Sequence, residues 1–518
     1  MNERVELEPP PPQDHPNISP WLDEQIWGHR LWDAQTPWLL FLEFLSVAEA
    51  CYREGKLLDE GQKYYPLVFR PYKRMYLRNI LFNNAELARL SEQQYVDRDV
   101  TWQLWINLMD ENARGVAERD FSYLKSHFHS FADFAALLEM LCGSVVESER
   151  DRRWTSRFVF PFGPKALYVD VNIGANNQPS PEYINFGRTG ELLYLMLCRS
   201  NYSSQLSKHI TKLLLGDNPW NGLMGLLQPV SEEQDTFVRG HSYLPYRRHS
   251  TFDKLGEDWL SIFNLQLPRF DSVSYLVTLG AFHILLYQIT VADEKLQKKR
   301  APHMICEVVA PKKTLVRELS FANYQENVDL PAQAVESYID AIEQSEEWQK
   351  ALREPGAYSL CCAILKERVW WPRKPDDYDG PDEPGHLIKE LRSEALKGHR
   401  QHLAHIHRAY GREVGLVSKR GTNKLRYAPN DTFLKALIIA NVETRMELGE
   451  FLDRVYKRYG LVFGEKEAEQ ILSGDEFDKK AFQANADRLE RRLGSLGMLR
   501  RLSDSCAYVE NPYKRRNS

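Results

Sequence analysis

Apolar positions recur every three to four residues through most of the chain, and this spacing predicts a succession of helices. The first runs from Trp38 to Cys51 behind Pro37, with Glu43 and Glu49 at the edge between its dry and wet faces. Others cover Asp99–Leu108, Phe131–Cys142 and Glu191–Cys198. Alternation replaces the helical period at Phe158–Phe162 and Ala166–Val171, two strand-like runs joined by Gly163-Pro164-Lys165. It returns at Met304–Val309, which reads as a partly exposed edge strand. Towards the carboxyl end Asp431–Asn441, Met446–Tyr459 (stopped by Gly460) and the short Glu465–Leu472 are helical by period. A fourth helix carries Ala481, Ala484, Leu489, Leu493 and Leu496 and closes at Gly497. Met498–Leu502 and Cys506–Asn511 then alternate around Ser503-Asp504-Ser505, the signature of a β-hairpin.

Helix, helix, helix, helix, hairpin is an order that resembles a winged helix-turn-helix domain. The resemblance covers residues 426–513 and implies a module that contacts DNA, RNA or another protein. The fold class expected for the whole chain is α+β, predominantly α-helical and multi-domain. Residues 1–18 read as a disordered lead-in, and 19–300 as a mostly helical domain with the β-hairpin near 158–171. A mixed central region follows over 301–425 with an acidic loop at 376–385, then the winged-helix domain over 426–513 and a basic tail over 514–518. Ser272–Val291 has the length of a membrane span, roughly 20 residues. It also holds His283, Gln288 and several hydroxyls, so a helix buried on all sides is expected, with no membrane partner.

Composition narrows the picture. A chain of 518 residues exceeds one ordinary core. With a net charge of -5 and a pI near 6.3 it is no polycation, so any contact with nucleic acid has to be local. Seven cysteines, an odd number without a CxxC pair, argue against a zinc ribbon or a disulfide framework and for a reducing cytoplasm. The amino terminus lacks the basic start and apolar core of a signal peptide.

Positive charge gathers at the other end. Between Asp478 and Ser518 ten cations stand against five carboxylates, a local excess of +5. Lys479, Lys480, Arg488, Arg491 and Arg492 on the fourth helix and Arg500 and Arg501 on the hairpin are the expected DNA-binding residues. Gln483 and Asn485 are the only good base-reading side chains there, so contact is expected to be with the backbone and sequence-tolerant.

Candidate chemistry elsewhere is sparse. Phe186-Gly187-Arg188-Thr189-Gly190 opens a helix whose free amides suit an anion, without the Gly-Lys-Ser/Thr ending of a phosphate loop. Glu307 and Lys312, with Asp170 as second carboxylate, invite comparison with restriction-type nucleases, but their spacing and Pro311 set them on opposite faces of a strand. His399, His402 and His405 drift by about 60 degrees per three-residue step of a helix and have no acidic or cysteine neighbour, so no metal site and no cofactor is expected. The same segment, rich in cations from Arg392 to Arg412, reads as a hydrated basic face that contacts nucleic acid or an acidic loop. Arg400-Gln401-His402-Leu403-Ala404-His405 resembles the motif of HEPN ribonucleases, which implies acid/base work for His405 and phosphorane stabilisation by Arg400.

On the wording of residues 186–200 and 32–45, most of the chain resembles uncharacterised bacterial proteins encoded in antiphage-defence operons. With no complete catalytic constellation, the expected function is a non-enzymatic subunit of a cytoplasmic DNA-associated complex. Its winged helix is expected to contact DNA or a partner protein such as a helicase or nuclease. The alternatives are a nuclease using Arg400/His405 or Glu307/Lys312, or a winged-helix transcriptional regulator.

Overall fold

The computed structural model describes residues 5–6, 18–28, 36–59, 65–69, 72–82, 84, 86–92, 98–116, 118–143, 163–168, 171–181, 188–229, 237–298, 301–372, 377–401, 403–419, 424–474, 477–503 and 506–514. Helices make up most of the described residues, and the molecule is predominantly α-helical.

Two amino-terminal helices, α1 (Ile18–Trp27) and α2 (Pro37–Arg53), start the packing. Pro37 presets the first turn of α2, and the Thr36 hydroxyl accepts from the Leu39 amide at 3.3 Å. Glu43 and Glu49 are both buried, not at the wet edge. Glu49 accepts from the Tyr72 hydroxyl at 2.9 Å, while Glu43 accepts from the Gly190 amide at 3.0 Å. Gly190 lies in the first turn of α3 (Arg188–Cys198), so the anion at that helix start is the protein's own carboxylate. A Cβ on Gly190 would stand 2.3 Å from Cβ of Glu43, which is why a glycine sits where α2 and α3 meet.

Helices α4 (Ser250–Asn264) and α5 (Arg269–Lys295) form the centre. Among the described residues α5 is the one helix long and apolar enough to cross a membrane, and 83% of its apolar window is buried inside the molecule. Its polar residues have internal partners: His283 Nε2 lies 2.8 Å from Asp258 Oδ2, and Gln288 Nε2 donates to the Leu403 carbonyl at 3.3 Å.

Beyond α5 the chain makes β1 (Met304–Ile305), α6 (Leu315–Glu343), α7 (Pro384–Gln401), α8 (Leu403–Glu413), β2 (Val417–Ser418) and β3 (Arg426–Tyr427). The carboxyl-terminal part comprises α9 (Asp431–Asn441), β4 (Arg445–Glu447), α10 (Leu448–Tyr459), β5 (Leu461–Val462), α11 (Glu465–Ile471), α12 (Lys479–Ser495), β6 (Leu499–Ser503) and β7 (Cys506–Glu510). Three of these strands form one antiparallel sheet in the order β4-β7-β6. Met446 stands opposite Val509, and Leu499 meets Val509 from the other side.

Several expectations need correction. Val5–Glu6, in the segment read as disordered, is a strand paired with Tyr246–Arg248. The hairpin near 158–171 is not formed as read: Gly163 and Pro164 open a short 3-10 turn over Pro164–Ala166, and Val171–Ile173 pairs with Pro179–Pro181. Residues 158–162 and 169–170 lie outside the described residues. The edge strand at 304–309 is a two-residue strand paired in parallel with β5, and Glu307 there is fully buried. The acidic loop ends where Pro384 opens α7, its residue 376 lying outside the described set together with 515–518 of the basic tail.

Packing crosses the boundaries drawn at 300 and 425. One continuous buried cluster runs from Leu22 to Val509, and a second joins Ile305 and Val316 to Val462, Ala468, Ile471 and Phe482.

Candidate functional site

Helix α12 is set by the Asp478 cap, whose carboxylate accepts from the Ala481 amide at 3.1 Å, and by Phe482, Asn485, Leu489 and Leu493, which bury one face. The solvent face therefore carries Lys480, Gln483, Ala484, Asp487 and Arg491.

This geometry divides the seven expected DNA-binding cations. Arg488 turns inward, donating from Nε to the Val308 carbonyl at 3.1 Å and from Nη2 to Asn485 Oδ1 at 3.3 Å. Burial, opposed by the Glu307 carboxylate, lowers its proton affinity. Arg492 pairs with Asp431 at 2.6 Å and donates to the Pro429 carbonyl at 3.1 Å, tying α12 to the start of α9. Lys479 is exposed with its Nζ 3.9 Å from Glu465, and Arg501 has its Nε 3.6 Å from Glu490. Lys480, Arg491 and Arg500 face solvent without an acidic partner among the described residues. Strand alternation sends Arg500 and Arg501 to opposite faces of the hairpin, so only Arg501 turns towards α12. Asn485 reads no base. It is fully buried, accepts from the Val308 amide at 2.8 Å, and donates to the carbonyls of Cys306 and Phe463, both at 3.0 Å.

Beside α12 the structure holds a cleft of about 300 Å³ between α10, α11, α12 and the hairpin. Its walls carry five carboxylates, Glu447, Glu465, Glu467, Asp487 and Glu490, against two cations, Lys466 and Arg501, over a floor that includes Leu448 and Leu452. Glu467 is 3% exposed. Burial pushes its carboxyl above the ordinary value, while the backbone amides of Glu467 and Gly464 pull the other way. Oε2 of Glu467 and Oε2 of Glu465 are buried without a hydrogen-bond partner. Buried carboxylate oxygens without a partner are costly.

The other candidates separate. Glu307 is clamped by two guanidiniums, Arg317 at 2.8 Å and Arg426, and is closed to solvent, whereas Lys312 is exposed; Asp170 lies outside the described residues. Arg400 at the end of α7 and His405 on α8 are both exposed, and His402 is outside the described set. His399 is buried 3.8 Å from Asp23, and His407 is buried with Nε2 2.7 Å from the Tyr427 hydroxyl. No group of three potential metal ligands exists among the described residues.

Sequence reading missed a buried polar cluster. The Tyr459 hydroxyl donates to Asp258 Oδ2 at 2.7 Å, Asp258 also meets His283 and Arg458, and Asn441 Nδ2 donates to Tyr459 at 2.8 Å. Asp258, His283 and Tyr459 are at most 1% exposed, so the cluster is a tie between α4, α5, α9 and α10 with no opening for a substrate. Asp258 and Tyr459 are 201 positions apart, and no local pattern joins them.

The chain matches no protein-family model, no curated protein and no solved structure.

Proposed function

We propose that this protein is a non-catalytic subunit of a DNA-associated complex and that residues 431–510 are a winged helix that docks a partner protein. The winged-helix reading is supported by element order and by the sheet order β4-β7-β6, in which the strand after the first helix pairs with the last strand of the hairpin. The observation that carries the docking reading is the acidic cleft with its two orphan carboxylate oxygens. A segment of a partner bearing arginine or lysine fits it, whereas a phosphodiester backbone laid over the same cleft meets five like charges. The setting, bacterial defence against phage beside a helicase or nuclease, rests on the resemblance of residues 32–45 and 186–200 alone.

The test is co-purification with the proteins encoded beside it, comparing the full wild-type chain with Asp487→Arg and Glu490→Arg. Both side chains sit on the cleft wall outside the buried core, so the fold is expected to persist while a partner is lost. Retention of every partner by both variants removes the docking reading.

Direct DNA contact is the second reading, favoured by the solvent-facing Lys480, Arg491 and Arg500. It expects the charge-reversed triple variant K480E/R491E/R500E to lose affinity for duplex DNA and to reduce the salt dependence of binding; unchanged affinity removes it.

A further inference from the structure

From Ala395 to Arg412 the chain runs eighteen residues with four cations, Lys397, Arg400, Arg408 and Arg412, four histidines and no carboxylate. In a protein of net charge -5 this is a local excess of +4, bounded by Glu394 and Glu413. Its cations lie on α7 and α8. Leu403, Ile406, His407 and Tyr410 bury the inner face of α8, and His405, Arg408 and Arg412 are exposed on the outer one. At about 100 degrees per residue those three fall within a stripe roughly 60 degrees wide. Lys397 and Arg400 are exposed on the last turns of α7.

The neighbouring elements do not neutralise the stripe. Lys397 lies 3.3 Å from Glu394. Arg400, Arg408 and Arg412 have no acidic partner within ion-pair distance among the described residues, although α6 exposes Glu326 and Asp329 nearby. One flank is aromatic and basic. Arg408 and Arg412 are near enough to the Tyr324 hydroxyl to favour its ionisation against burial, and one turn earlier on α6 the Lys424 ammonium sits 4.2 Å from the Phe321 ring centroid. Unpaired guanidiniums repel one another, and a polyanion relieves that repulsion.

We propose that the outer face of α7 and α8 binds the sugar–phosphate backbone of nucleic acid, with Arg400, Arg408 and Arg412 as phosphate contacts. Among the side chains described on the stripe, the long cations and His405 face outward, a set suited to sequence-tolerant contact with the backbone. The surface is separate from the acidic cleft and from α12, and the inference does not depend on the docking reading.

The experiment is fluorescence anisotropy with the full chain and labelled duplex DNA of about 30 base pairs, with an RNA hairpin of the same length in a parallel arm, across roughly 50 to 200 mM salt. For three phosphate contacts the logarithm of affinity is expected to fall against the logarithm of salt with a slope of about -3. The variant R400E/R408E/R412E is expected to weaken binding by at least roughly tenfold and to flatten that slope. The two arms identify the preferred strand chemistry. Absence of binding by the wild type, or insensitivity to R400E/R408E/R412E, overturns the proposal. So does an acidic protein partner that is lost in R400E/R408E/R412E while nucleic-acid affinity stays the same. Equal melting temperatures for wild type and variant exclude unfolding as the cause.

Discussion

At the scale of single residues, burial decides what a polar side chain is for. Asn485 has the chemistry of an adenine reader, yet its amide holds three backbone groups at 304–308 and 463. Asn485→Ala is expected to cost about 2–4 kcal/mol by leaving buried donors and acceptors unpaired, read as a loss of stability in urea. Glu307 is a parallel case. Glu307→Gln leaves Arg317 and Arg426 without their shared counter-charge and is expected to destabilise by about 3–5 kcal/mol; a neutral effect would show that the triad is not a charge clamp. Histidine gives a pH signature. Burial pushes His407 down to about 3 from 6.5, and burial also lowers His283 against its hydrogen bond to the Asp258 carboxylate. Each stays neutral in the fold while the unfolded chain takes up a proton. The stability is therefore fully present above about pH 6.5 and falls as pH drops from there towards 3, by about 1.4 kcal/mol per unit for His407. His407→Gln is expected to flatten that slope in urea titrations repeated between neutral and mildly acid pH.

At the scale of elements, the sequence was most legible where local chemistry and period agree. The helix read at Asp431–Asn441 has those bounds in the structure, and Gly460 and Gly497 take positive φ of 74 and 70 degrees at the predicted stops. The hairpin after Gly497 also forms within a residue or so of its predicted ends. The strand β4 was not legible, because Arg445-Met446-Glu447 is too short to show a period and is a strand only through its pairing with β7. At the start of α3 the Gly190 amide, whose free N–H suits an anion, is taken by Glu43, 147 positions away. Gly190→Ala sets a Cβ against Glu43 and the Phe44 amide and is expected to cost about 1–3 kcal/mol or more, seen as a lower melting temperature. An unchanged midpoint would mean that α2 and α3 separate without penalty.

At the scale of the molecule, the carboxyl-terminal part is built into the rest. Strand β5 pairs with β1, Phe482 and Ile471 pack with Ile305 and Val316, and Arg458 reaches Asp258 on α4. Residues 426–514 expressed alone are therefore expected to lack a stable tertiary fold, with poorly dispersed amide resonances, whereas the full chain is expected to unfold in one main transition. A well-dispersed spectrum from the fragment would show that these contacts are dispensable. The sequence by itself determined the helical character, the caps and stops, the hairpin, and the basic block at 395–412, because each depends on neighbours within a turn or two. Only the tertiary structure decided which cations are available. Arg488 and Arg492 were drawn inward by partners at 308 and 431, Arg500 and Arg501 were split between two faces, and carboxylates from β4, α11 and α12 converged on one cleft. Charge along a chain can be counted residue by residue, but its field depends on which side chains burial has already paired, and that is set by contacts from distant segments.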